Sequence, residues 1–178
     1  MPRESKRLSA LDATEFREQL RQALQAAFGA WERAEGTGLD AERWFAVLAD
    51  AVQAEAGDWP VAIELCGFAL AEIDGPAQTP WAVETLRRPS AAMVLTEALA
   101  GLEPGDLATP ESAKAFFARL RRRLRASQGL RGQEVMDAIR ASLTGSQRGP
   151  CLGIVAALLG PSRVRHRLEE QLTCLRSA

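Results

Sequence analysis

Apolar residues recur every third or fourth position along most of this chain. No stretch alternates apolar and polar side chains over a strand length with β-branched enrichment. That period matches the helical turn, and the abundance of Ala, Leu, Arg and Glu favours the same state. The expected fold is all-α. The first helix is the best marked: Asp12 can cap it, Glu15 completes a capping box, and Leu11 faces Phe16 as a hydrophobic staple. Phe16, Leu20, Leu24, Phe28 and Trp31 then form a stripe that must be buried, ending at Gly36-Thr37-Gly38. A second helix from Asp40 to Gly57 carries Trp44, Phe45, Leu48 and Val52, and a third from Pro60 to Ile73 is apolar enough to be largely buried.

The clearest break in the pattern is Asp74 to Pro80, D-G-P-A-Q-T-P. A boundary there divides the chain into two helical subdomains, residues 1–78 and 79–178. In the second, helices are expected at Trp81–Arg88, ended by Pro89, and at Ser90–Ala100. After a break at Gly101–Pro110, Thr109 caps and Pro110 opens a long basic helix that runs to Ser127 and is stopped at Gly129. Gln133–Leu143, Pro150–Leu159 and Pro161–Leu175 complete the set.

Charge changes this picture. The net −1 conceals a division: residues 1–110 hold 9 Lys or Arg against 18 Asp or Glu, and residues 111–178 hold 13 against 5. The basic half either faces a polyanion or is neutralised within the molecule by the acidic half. No run of about 18 apolar residues offers a membrane span, and the start M-P-R-E-S-K-R-L-S lacks the apolar core of a secretory signal. Cys66, Cys151 and Cys174 are widely spaced, as in a cytoplasmic protein with reduced thiols. With His166 as the single histidine, no Cys/His ligand set can form, so neither metal nor cofactor is expected. No Cys-His pair, glycine-rich phosphate loop or recognisable carboxylate pair supports catalysis, and a non-enzyme is expected.

The most specific stretch is Leu130–Leu168. It holds Ile139-Arg140-Ala141-Ser142-Leu143-Thr144-Gly145, then Gly149-Pro150, Leu158-Leu159-Gly160 and Arg163-Val164. This ordered set resembles the C-terminal anticodon-binding domain of bacterial-type glutamyl-tRNA synthetases. There a helix ends close to P-L-R-x-A-L-T-G-x-x-x-G-P, and a short apolar helix leads to L-L-G-x-x-R-V. Upstream, Ala82-Val83-Glu84, Pro89-Ser90-Ala91-Ala92 and Val94-Leu95 are similar to the preceding helix pair. Gly129-Leu130-Arg131-Gly132 is similar to the family's E-L-G-L-K-G-K, so the resemblance covers about Trp81 to Leu172. Ser5-Lys6-Arg7 and Thr14-Glu15-Phe16-Arg17-Glu18 are similar to the family's K-L-S-K-R loop and the E-E-F-R-E that follows it. The chain departs from the pattern at Ala138, Ile139 and Cys151, and at Arg131 and Gln133 where the family has lysines. It has no H-I-G-H-like segment and no nucleotide-binding α/β domain.

The resemblance implies a stand-alone, non-catalytic, tRNA-binding module of protein biosynthesis, with a glutamate-family tRNA as partner. Arg140 matches the motif arginine and would fork onto a base edge or phosphate of an unstacked anticodon; the alternative is pairing with Asp137 or Glu134 on its own helix. Thr144-Gly145 and Gly149-Pro150 bracket a turn that carries Arg148, where helix-start amides meet phosphates or simply form a helix stop and start. Arg119, Arg122 and Arg123 lie near one another on the basic helix, whose buried face is expected to be Phe116, Leu120 and Leu124. They would contact phosphates or form a solvated face. Arg163, with Arg165 and Arg167, is a second group that Glu169 and Glu170 can neutralise. Trp31, Trp44, Trp59 and Trp81 are expected in the core or an interface, and Glu64 stands out as an acid in an apolar helix. Two other readings remain. One is a protein-interaction or regulatory module using the acidic half as partner surface, which an exposed apolar patch on the first helices would favour. The other is a truncated synthetase fragment.

Overall fold

The computed structural model describes residues 8–28, 37–70 and 78–177. A 3-10 turn at Leu8–Ala10 leads into α1 (Ala13–Phe28), α2 (Ala41–Glu55) and α3 (Trp59–Leu70). Then come α4 (Pro80–Leu86), α5 (Pro89–Ala100), α6 (Pro110–Gln128), α7 (Gly132–Thr144) and α8 (Leu152–Ser177). The all-α expectation holds, with no strand among the described residues. None of these helices is long and apolar enough to cross a membrane.

The first three helices pack on one another through the expected faces. Asp12 caps α1 by accepting from the amides of Thr14 (2.9 Å) and Glu15 (3.4 Å). The capping box is only half formed, because the Glu15 carboxylate accepts from Gln19 one turn on. Phe16, Leu20 and Leu24 are buried, whereas Phe28 is exposed, so among the described residues the buried part of the stripe ends at Leu24. Trp31 and Ser5-Lys6-Arg7 lie outside the described residues. Trp59 stacks on Phe16 at 5.4 Å and joins α3 to α1. Arg17–Asp50 and Arg21–Glu42 ion pairs tie α1 to α2 at the rim. In α3, Ala62, Cys66, Phe68, Ala69 and Leu70 are buried, and Glu64 points to solvent. Residues 71–77, including most of the expected linker, lie outside the described residues.

Of the remaining helices, α5, α6 and α7 pack against α8, and α4 packs on α7. Thr79 caps α4 and Pro80 opens it. Pro89 opens α5 as well as ending the segment before it. Thr109 and Ser112 form the full capping box of α6, and Gly129 (φ 68°, ψ 10°) ends it in the left-handed region, where a side chain would be strained. Pro150 is a correction: it was expected to open a helix, but α8 begins at Leu152 and Pro150 is buried in the preceding loop. Gly160 (φ 73°, ψ 162°) breaks α8 into two arms where two helices were expected, and Pro161 opens the second. The apolar positions of both halves join one cluster, running from Leu8 through Leu48 and Leu158 to Leu172. The Trp44 indole crosses it, donating to the Leu158 carbonyl at 2.8 Å.

Candidate nucleic-acid interface

The loop between α7 and α8 is held from several sides. Gly145 (φ 64°) stops α7, with its N–H on the Ala141 carbonyl at 3.0 Å. The Gly145 carbonyl accepts from both the N–H (2.9 Å) and the hydroxyl (2.8 Å) of Thr79, which docks the loop on the start of α4. The Thr144 hydroxyl lies between the carbonyls of Arg140 (2.9 Å) and Ser146 (3.0 Å) and accepts from the Ser146 N–H. Ser146 in turn accepts from the Arg148 N–H at 3.3 Å.

Arg140 closes this loop from beneath. Its Nη2 donates to the Pro150 carbonyl at 2.9 Å and its Nη1 to the Gly149 carbonyl at 3.5 Å. Burial pulls its pKa below the ordinary arginine value, opposed by Cys151, Glu55 and Asp137. The alternative weighed for Arg140, pairing with Asp137 or Glu134 on its own helix, does not form: Asp137 faces Arg88 at 3.8 Å and accepts from Gln133, and Glu134 accepts from the Ser90 hydroxyl. The Arg148 side chain is exposed. It stands at the rim of a cleft of about 120 Å³ between α3 and the loop, lined also by Leu65, Phe68, Thr144, Ser146 and Glu64.

Arg163, in the first turn of the second arm of α8, clasps three carbonyls, those of Leu159 (2.9 Å), Leu158 (3.0 Å) and Ala69 in α3 (3.0 Å). Arg167 is buried, donates to the Leu143 carbonyl at 2.6 Å, and has its pKa drawn down to about 10 by burial and then by Arg163. Arg165 and His166 remain exposed and line an open cleft with the 102–105 loop and Glu169. The three arginines of that candidate group therefore do not share one free face.

The arginines of α6 divide too. Arg119 pairs with Asp106 at 2.5 Å, and this hydrogen bond holds the guanidinium pKa above its usual value. Arg123 bonds the Glu97 carbonyl and carboxylate. Asp106 and Glu97 belong to the acidic half, so neutralisation across the charge division happens at these two positions. Arg122 stays exposed, as do Arg121 and Arg125 on its flank. Arg125 also lines an open cleft of about 340 Å³ with Arg131 and Gly129, Leu130 and Gly132. Reading the sequence grouped Arg122 with Arg119 and Arg123 and missed this second grouping. Its signal was the i,i+4 spacing of Arg121 and Arg125 followed by a glycine stop that returns Arg131 to the same end.

Trp44 is buried, and Trp59 and Trp81 are partly buried against the core. Among the described residues Phe28 is the one large apolar side chain left exposed, so α1 and α2 present no broad apolar patch there. No cluster of three or more His, Cys, Asp or Glu is gathered to hold a metal among those residues.

Comparison with known proteins agrees with this architecture. The chain is 35 % identical over 91 residues to glutamate–tRNA ligase 2 of Syntrophus aciditrophicus, a match covering 51 % of this chain and 18 % of that enzyme. It is 37 % identical over 59 residues to glutamate–tRNA ligase 1 of Rubrobacter xylanophilus, covering 33 % of this chain and 14 % of the enzyme. A solved glutamate tRNA ligase from Elizabethkingia meningosepticum, in complex with its amino acid, superposes on 94 % of this chain with a TM-score of 0.71 at 15 % identity, and shares its fold. The chain spans 30 % of that structure, so each relative is a much longer protein matched over one part. The family model for the anticodon binding domain matches residues 15–172, which takes in all but the ends of the helical bundle described above. On that match the chain belongs to the anticodon binding domain family.

Proposed function

We propose that this chain is a non-catalytic tRNA-binding module, acting in the cytoplasm on a glutamate-family tRNA, and that it holds an unstacked base in the cleft between α3 and the 145–150 loop. The cleft carries this reading. Val61, Leu65 and Phe68 give it apolar lining, and Thr144 and Ser146 give it polar lining. Arg148 and Glu64 stand at its rim as a cation for phosphate and an acceptor for an exocyclic amine. Apolar stacking with polar edge contacts is how single-stranded RNA is read. The family membership supports the same partner, as do relatives named for ligating glutamate to tRNA.

Within this reading Arg148 touches RNA directly. Arg140 acts through the loop it staples, Thr144 fixes the cleft wall, and Arg163 keeps α3 against α8. Arg122 adds a phosphate contact, while Arg119 and Arg123 contribute less because acids already face them.

Binding of the purified protein to total tRNA, followed by fluorescence anisotropy across a KCl series, tests this. Affinity should fall steeply with salt as counterions are released. Arg148→Ala should weaken binding by about tenfold, the scale of one hydrogen bond to a charged group, without changing thermal stability. Arg140→Ala should weaken binding and also lower the melting temperature, because the loop loses its staple. No salt-sensitive binding at low ionic strength would overturn the proposal.

A further inference from the structure

We infer that the junction of α6 and α7 is a second RNA contact, one that grips sugar-phosphate backbone irrespective of sequence through Arg121, Arg122, Arg125 and Arg131. This inference rests on the RNA-binding reading above and concerns a different end of the molecule. Arg121 and Arg125 sit one helical turn apart, and Arg122 lies three residues before Arg125, so the three share one side of α6. Gly129, whose positive φ ends α6, is followed three residues later by the start of α7 at Gly132. Arg131 immediately precedes α7 and shares the 340 Å³ cleft with Arg125. The Arg121 side chain reaches to 3.6 Å from where a Cβ on Gly132 would stand. All four arginines are exposed.

Their neighbours leave this charge uncompensated. The ion pairs among the described residues engage Arg17, Arg21, Arg88, Arg119 and Arg123, and none of these four. The acids nearest in sequence are turned elsewhere. Glu134 takes the Ser90 hydroxyl, and Asp137 takes Gln133 and faces Arg88. Four guanidinium groups gathered without counter-charge repel one another, and a polyanion relieves that repulsion. The cleft lining has no aromatic side chain on which a base could stack, so the fitting ligand is the phosphate backbone rather than a base. The 13 residues of α7 separate this site from the 145–150 loop by about 18 Å. That is roughly five stacked nucleotides at about 3.4 Å each, within the reach of a single folded RNA.

The test is the salt dependence of total tRNA binding for the intact chain carrying Arg121→Gln, Arg122→Gln, Arg125→Gln and Arg131→Gln together. Each phosphate contact contributes about 0.7–0.9 to the slope of log affinity against log salt. The quadruple variant should therefore lose about 3 from that slope and bind more than tenfold more weakly at low salt. The same four positions changed to Lys should retain most of the slope, and the pairs 121/125 and 122/131 should each lose about half as much as the full set. These pairs keep the measurement available even if the quadruple glutamine variant folds poorly. Arg148→Ala should lose no more than about 1. An unchanged slope in the glutamine variants, with tRNA still bound, overturns this inference and leaves the tRNA-binding reading standing. A wild-type chain that fails to bind tRNA overturns both.

Discussion

Cys66 lies in the core of α3, while Cys151 and Cys174 are exposed. Burial pushes the Cys66 thiol from its ordinary 9.0 up to about 12. The folded pKa is raised, so the contribution is fully present below about 9 and is lost as pH rises from there towards 12, because only the unfolded chain ionises in that window. Stability should fall by about 1.4 kcal/mol per pH unit there from this group alone. Denaturant titrations at pH 8 and pH 10 should show a steeper loss in wild type than in Cys66→Ala. Alkylation at pH 8 followed by intact mass should mark two thiols in the folded protein and the third only after unfolding. At this scale the sequence was partly legible. The burial of Cys66 follows from its apolar helix, and Arg140 stood out from its motif. The acceptors of Arg140, the Gly149 and Pro150 carbonyls, are main-chain atoms of a loop. Side-chain identities cannot announce a partner that every residue carries.

Helices were the most legible level, because apolar period, caps and glycine stops act within a few residues of one another. The stop at Gly145 and the Thr109 cap of α6 were both readable for that reason. Errors fell where a tertiary contact decides. Pro150 has the chemistry of a helix opener, yet the Arg140 bond to its carbonyl holds it in the loop. Gly153 is a contact of the same kind, giving no local signal: a Cβ there would lie 2.6 Å from Lys114 Cγ and 2.7 Å from the Pro110 carbonyl oxygen, where the first arm of α8 crosses the start of α6. Gly153→Ala should destabilise the protein by about 1–3 kcal/mol, as overpacking does. Gly67→Ala, in α3 with nothing within 4 Å of the added carbon, should be neutral or gain up to about 1 kcal/mol from helix propensity. Thermal melts of the two variants side by side check the contrast, and a stabilised Gly153→Ala would show that the crossing is loose.

Across the whole molecule, the division of charge was visible in composition, but its outcome was not, since pairing depends on which acids fold beside which arginines. Asp106 and Glu97 silence Arg119 and Arg123 and leave the α6–α7 end basic. The subdomain division proposed at residue 78 can be probed by cooperativity. Three of the four tryptophans precede it, so fluorescence weights the first half while far-ultraviolet circular dichroism reports every helix. Because α2 and α3 share a core with α8, the two melting curves should coincide. Trp44→Phe, which removes the bond to Leu158, should lower the midpoint by several degrees, for a loss of about 1–2 kcal/mol. Separated curves in wild type would mean that the halves fold independently. The break at Gly160 gives that bond its acceptor. An uninterrupted helix would have kept the Leu158 and Leu159 carbonyls in its own ladder. Interrupted there, the helix has a frayed middle whose open acceptors receive Trp44 from α2 and Arg163, which also holds α3. A discontinuity in the longest element is thus the docking point for the first half of the chain. A sequence that healed it would gain helix and lose the seam.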